Sequence, residues 1–166
     1  GAVNCVNVPA GVTFCDHIEE QMLPLDYWGK KYVGAHSPKR GSEKHYYRIF
    51  AAEDGTTVTT TPAQPGTPFM LNKGEWKELV LANGTSTVFE SDQPFLAVQY
   101  LAGQDAGADY GDPAMYQMIP TEQFLSRYVF ATGIGYAKNY VQIIRKAGAA
   151  EVTVDGLPVG GYVTIG

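Results

Sequence analysis

Short stretches of the chain alternate apolar with polar residues, and each stretch ends at Gly, Pro, Asn or Asp. A period of two marks half-buried β-strands. The pattern is clearest over residues 45–52, where Tyr47, Ile49 and Ala51 share one face and Tyr46, Arg48 and Phe50 the other. Strands are expected at residues 28–33, 45–52, 56–61, 69–71, 75–81, 86–90 and 94–102. Further runs lie at 114–119, 127–132, 140–146, 151–155 and 162–165. Glu53-Asp54-Gly55, Asn72-Lys73-Gly74, Asn83-Gly84 and Asp155-Gly156 supply the turns. Residues 62–68 carry three prolines and read as an edge or a loop. Residues 121–125 read as a single helical turn, and no longer amphipathic helix is present. The expected class is all-β, an antiparallel β-sandwich of short strands. Its expected core includes Tyr47, Ile49, Val80, Leu96, Val98, Val141 and Ile143.

The pattern also repeats. Glu20-Gln21, Tyr32-Val33, residues 45–55 and Val58 recur as Glu122-Gln123, Tyr128-Val129, residues 139–148 and Val152. The offset is 96 residues from Tyr32 to Tyr128, and 94 from Ile49 to Ile143 and from Val58 to Val152. A near-constant offset of this size marks a structural unit rather than a solenoid turn. Residues 1–110 read as a first β-sandwich unit, and 111–166 as a central connector with an incomplete second β unit, either separate or packed as one domain with the first. That second unit has no counterpart of residues 76–100. Its last strands are therefore expected either to pack on the first sheet or to meet another chain.

Composition narrows the setting. Seventeen acidic residues outweigh twelve basic ones, a formal charge of −5 that disfavours nucleic acid as a partner. No apolar run reaches the length of a membrane span. The chain opens at Gly1 without Met or signal peptide, as a mature or excised piece would. Cys5 and Cys15 flank turn residues and are expected to be bridged, which places the chain outside the cytoplasm. The alternatives are a Cys5/Cys15/His17 metal cluster and two free thiols.

Candidate chemistry is sparse. His17, His36 and His45 adjoin no nucleophile motif such as GxSxG, so no catalytic residue is assigned; a hydrolase would need a spatially assembled triad. Asp105, Asp109 and Asp112 line an acidic, glycine-rich loop that suits Ca²⁺ by its oxygen donors, or simply turns in solvent. No other cofactor is expected. Gly111-Asp112-Pro113 is either a packed turn or a cleavable site, with Ala114 where acid cleavage would use a histidine. Asn83-Gly84-Thr85 fits an N-glycosylation acceptor if the source is eukaryotic. Among the aromatics, Tyr110, Tyr136 and Tyr162 lie beside glycine-rich loops and are the expected exposed ligand contacts. The first place for a ligand is residues 103–111 with Tyr136, the second residues 62–68.

Several motifs together resemble one family. They are residues 17–24 and 28–33, Ser91 through Tyr100, Gly111 through Met115, Glu122-Gln123-Phe124, residues 136–140, and 152–156. In order and spacing these resemble the N-terminal domain of IgGFc-binding protein and its bacterial adhesin-like relatives. The resemblance implies an extracellular, non-enzymatic β-rich module of a larger secreted or surface protein, serving adhesion. Its partner would be a protein or glycan ligand, or neighbouring copies of itself that complete its sheet. Immunoglobulin binding is the namesake's property and is not part of this expectation.

Overall fold

A computed structural model describes residues 2–165; the expected outer limits of the two units, Gly1 and Gly166, lie outside them. Eleven strands form within that span: β1 (Ala2–Val6), β2 (Asp16–Glu19), β3 (Gly29–Gly34), β4 (His45–Ala51), β5 (Thr56–Thr61), β6 (Phe69–Leu71), β7 (Trp76–Leu81), β8 (Thr87–Leu101), β9 (Ala114–Gln117), β10 (Thr153–Val154) and β11 (Leu157–Pro158). The only helical pieces among the described residues are single 3₁₀ turns at Leu25–Tyr27 and Thr121–Gln123. The class is all-β and antiparallel, as the alternation indicated.

β8 organises the fold. It is one fifteen-residue strand, and four others pair with it. Its first half lies between β3 and β5, with Tyr32 and Thr60 both opposite Phe89. Its second half lies between β4 and β9, with Arg48 and Gln117 both opposite Val98. The partners change across residues 92–94, where Pro94 has no ladder bond to donate. β6 extends one arm beyond β5, and β7 extends the other beyond β4. The pairing thus makes one continuous sheet, order β6-β5-β8-β4-β7, curled so that both arms share a core.

That core is made by the odd positions of β4 and β8. Tyr47, Ile49, Phe89, Phe95 and Ala97 are fully buried, joined by Tyr32, Val58 and Leu81. Tyr47 packs on Phe89 at 5.1 Å between ring centroids, and Tyr32 packs edge-on to Phe95 at 4.8 Å. Gly34 leaves room for this, since a Cβ there would stand 2.7 Å from Phe89. Each such ring stabilises the fold by roughly 1.5–3 kcal/mol through burial. Leu96 and Val98 are buried on the opposite face of β8, as expected. The β1–β2 ribbon adds a second, smaller cluster of Val8, Ile18, Tyr46 and Ala102. Cys5 and Cys15 are bonded within that ribbon, with Cα atoms 5.2 Å apart. Closing this loop contributes about 3 kcal/mol on a chain-entropy account. The bonded pair leaves no thiolate for the Cys5/Cys15/His17 metal alternative.

Three expected core residues are not buried. Val80 points outward from edge strand β7, whose inward positions are Leu79 and Leu81. Val141 is half exposed and Ile143 only partly covered, because residues 140–146 form no strand. Residues 127–132 and 162–165 form none either, and 151–155 shrinks to the two-residue β10. The start of the 111–166 stretch packs with the first unit. β9 belongs to the sheet, and Pro120 packs against Gly29, where a Cβ would stand 2.3 Å from the Pro120 Cβ.

Candidate functional site

The outward positions of β4 carry Arg48 and Phe50. Cross-strand pairing sets Phe50 opposite Trp76 on β7, and Arg48 opposite Glu78 and Val98. The Arg48 guanidinium therefore lies between two rings, 4.9 Å from the Trp76 centroid and 5.0 Å from that of Tyr100. Glu78 holds it with an Nε–H to Oε2 bond of 3.1 Å. Phe50 and Trp76 pack at 6.2 Å. Trp76 remains 52% exposed. Beside it opens a cleft of about 240 Å³, lined by Ile18, Met22, Arg48, Phe50, Val98 and Met115 among others. The arrangement is an apolar shelf with one cation, mounted on rigid strands. Trp, Tyr and Arg are the side chains that concentrate binding energy at interfaces. Fixing them beforehand lowers the entropic cost of docking. A larger hollow, about 380 Å³, is an open shelf of Thr57, Thr59, Glu90, Ser91 and Asp92 without an aromatic ring.

The loop at residues 103–111, the first expected ligand site, is strapped down instead. Arg40 reaches across it, donating from Nη1 to the Tyr110 carbonyl at 3.1 Å and from Nη2 to the Ala102 carbonyl at 2.6 Å. Ser42 N–H donates to Gly107 O, and Asp109 N–H to Arg40 O. Glu43 is buried beneath, accepting from the Arg40 backbone N–H and lying 3.8 Å from its Nε. Asn83 Nδ2 donates to the Gly41 and Glu43 carbonyls at 3.2 and 2.8 Å. The nitrogen a glycan would occupy is thus engaged in holding residues 41–43, rather than free at a hairpin tip. His45 Nε2 accepts from the Gly84 N–H at 3.0 Å, so it is the unprotonated nitrogen. Burial holds the His45 pKa below its usual value, and the neighbouring His36 adds to this; Glu43 opposes it. The polar atoms here meet backbone partners, which makes a clamp between loops. His17 stands 3.4 Å from Glu19 on exposed β2, and His36 Nδ1 faces the Ser37 carbonyl. Among the described residues no histidine ring is bonded to a serine or cysteine side chain.

Asp105, Asp109 and Asp112 are all exposed. Asp105 sits at φ 70°, a turn role that Asp tolerates. Among the described residues no three His, Cys, Asp or Glu side chains group as metal ligands. Pro113 is buried near Gly103, so the Gly111-Asp112-Pro113 stretch is packed against that loop. Tyr110, Tyr136 and Tyr162 have separate neighbours: Arg40 at the backbone of the first, Gly133 beside the second, Arg145 4.2 Å over the ring of the third. Tyr110 and Tyr136 are exposed, Tyr162 half-buried. Residues 62–68 close on themselves through the Thr60 and Thr67 hydroxyls, 2.8 Å apart. Sequence reasoning missed the Arg48–Phe50–Tyr100 group. Its signal was in the outward register of residues 45–52, where Arg48 and Phe50 share the face opposite Tyr47 and Ile49.

No described helix is long and apolar enough to cross a membrane. A family model described as IgGFc binding protein matches residues 1–166. No curated protein and no solved structure matches the chain.

Proposed function

Because residues 1–166 belong throughout to the IgGFc-binding protein family, we propose that the chain is an extracellular, non-enzymatic adhesion module that holds a protein ligand on the outer face of β7, β4 and β8. One observation carries this reading: Arg48 clamped between Trp76 and Tyr100, with Trp76 half exposed. An apolar shelf with a partly exposed cation held between rings suits a protein surface carrying an aromatic or acidic side chain. The Cys5–Cys15 bond and the family support the extracellular setting.

The test is retention on an immobilised panel of extracellular proteins, immunoglobulin Fc among them. The wild-type chain is expected to retain a protein. Trp76→Ala should weaken that retention by at least about 30-fold, the effect of losing an interfacial hot spot. Its melting temperature should stay unchanged, because the ring is not in the core. A ligand kept by Trp76→Ala and lost on altering residues 103–111 would return the site to the loop.

A further inference from the structure

His45 opens β4 with a buried ring. Its Nε2 accepts from the Gly84 N–H at 3.0 Å, so the ring is neutral and carries its proton on Nδ1. That bond holds the turn at residues 82–85, which the Thr85 N–H closes on the Ala82 carbonyl. Asn83, in the same turn, passes the hold on: its Nδ2 donates to the Gly41 and Glu43 carbonyls. Arg40 and Ser42 in turn hold the loop at residues 103–111. Ser42 N–H donates to Gly107 O at 2.6 Å, and Arg40 O accepts from Asp109 N–H at 2.9 Å. One imidazole nitrogen is thus the first contact in a chain of hydrogen bonds that runs from the end of β4 to that loop.

Little would keep the ring in place once charged. A protonated Nε2 is a donor, and it would meet the Gly84 N–H, another donor, head on. The charged and titratable groups that face His45 are His36, Lys39, Arg40 and Glu43; its strand partner on β7 is Leu81. Burial disfavours the charged ring most, and His36, Arg40 and Lys39 add to this. The His36 ring lies 6.0 Å away between centroids. Glu43 favours the charge, but its carboxylate already accepts from the Arg40 backbone N–H and from Asn83 Nδ2. His36 itself differs: its Nδ1 faces the Ser37 carbonyl, a contact that a protonated ring keeps.

We propose that residues 39–45 and 82–85 form an acid-released latch on the 103–111 loop, with His45 as its sensor. Protonation breaks the Gly84 bond, the turn lifts, Asn83 leaves residues 41–43, and the loop loses its bonds to Ser42 and Arg40.

The test is amide hydrogen exchange of the full chain at pH 7.5 and 5.0, corrected for the intrinsic rate at each pH. The lower value stays above the ordinary carboxylate range, about 4. Protection of Gly84, Ser42 and Asp109 should fall together by about threefold or more, with a ceiling of about 30-fold for one proton titrating from about 6.5 downward. Gly74 and Glu75, bonded in the turn at the far end of β7, should keep their protection. His45→Gln retains an acceptor for Gly84 without a titrating ring and should flatten the response at all three amides. His36→Gln should leave the response in place. Asn83→Ala should lower protection of Ser42 and Asp109 already at pH 7.5, while Gly84 still responds to acid. Any of four results would overturn the latch: no fall at Gly84, a fall at Gly84 alone, a response that survives His45→Gln, or an equal fall at Gly74 and Glu75.

Discussion

Residues 29–61 and 125–157 carry the same pattern and reach different ends. Tyr32 is fully buried, and its counterpart Tyr128 is 60% exposed. Tyr47 is fully buried, and its counterpart Val141 is 50% exposed. The strands of the first copy are held by β8, which supplies both the ladder and the rings they pack against. The second copy keeps turn chemistry, with Asp155 at φ 50° and Gly156 at φ 82° closing the β10–β11 hairpin. Beyond that two-stranded hairpin it keeps no sheet among the described residues. A period-two pattern therefore records a capacity to pair, and the partner decides whether that capacity is used. A turn needs only its own residues; a strand needs a neighbour several dozen residues away or in another molecule.

The largest contrast is expected between Ile49 and Ile143. Ile49→Ala empties a sealed core site and should cost roughly 2–5 kcal/mol in denaturant unfolding. Ile143→Ala removes a side chain that is only partly covered and should cost less, about 1 kcal/mol. Similar losses at both would mean that the second copy is packed after all.

A smaller effect separates Gly29 from its counterpart Leu125. Pro120 leaves no room for a side chain at residue 29, whereas Leu125 projects into solvent. Gly29→Ala should destabilise by about 1–3 kcal/mol as overpacking, and Leu125→Ala by almost nothing. Thermal melts of the two variants check this.

The smallest contrast is in pH. His45 is half of the clamp with Gly84, and its counterpart Asn139 does not titrate. Burial depresses the folded pKa of His45, so the unfolded chain binds the proton first. Stability should be fully present above the ordinary histidine pKa and fall as pH drops below about 6.5 toward the lower folded value. His45→Asn should flatten that slope in melts taken from pH 7.5 to 5. An unchanged slope would take the titration away from His45.

Much of the first copy was legible residue by residue. β5 and β6 fall where the alternation and turns place them, and the faces of β4 are as read. Ser91-Asp92-Gln93-Pro94 looks like a loop between two strands, yet β8 runs straight through it. The reason is that its partners change there, so a proline costs no bond. The outward turn of Val80 was hidden because β7 is apolar on both faces at Leu79, Val80 and Leu81. The strands expected at 127–132, 140–146 and 162–165 do not form, and among the described residues none has a paired neighbour, which no local pattern reports. The Trp76 shelf was half legible: the aromatics could be named, but Arg48 joins Trp76 to Tyr100 only through cross-strand register.

Native-state hydrogen exchange of the full chain, comparing residues 45–51 with residues 139–145, tests the central claim most directly. β8 flanks the first segment, while among the described residues no strand pairs with the second, which touches the first copy through the Gln142 side chain on the His36 carbonyl. Amides of 45–51 should exchange only through global opening, and those of 139–145 at close to the rate of an unstructured peptide. Equal protection of the two segments would contradict the account, because it would require a sheet in the second copy without β8.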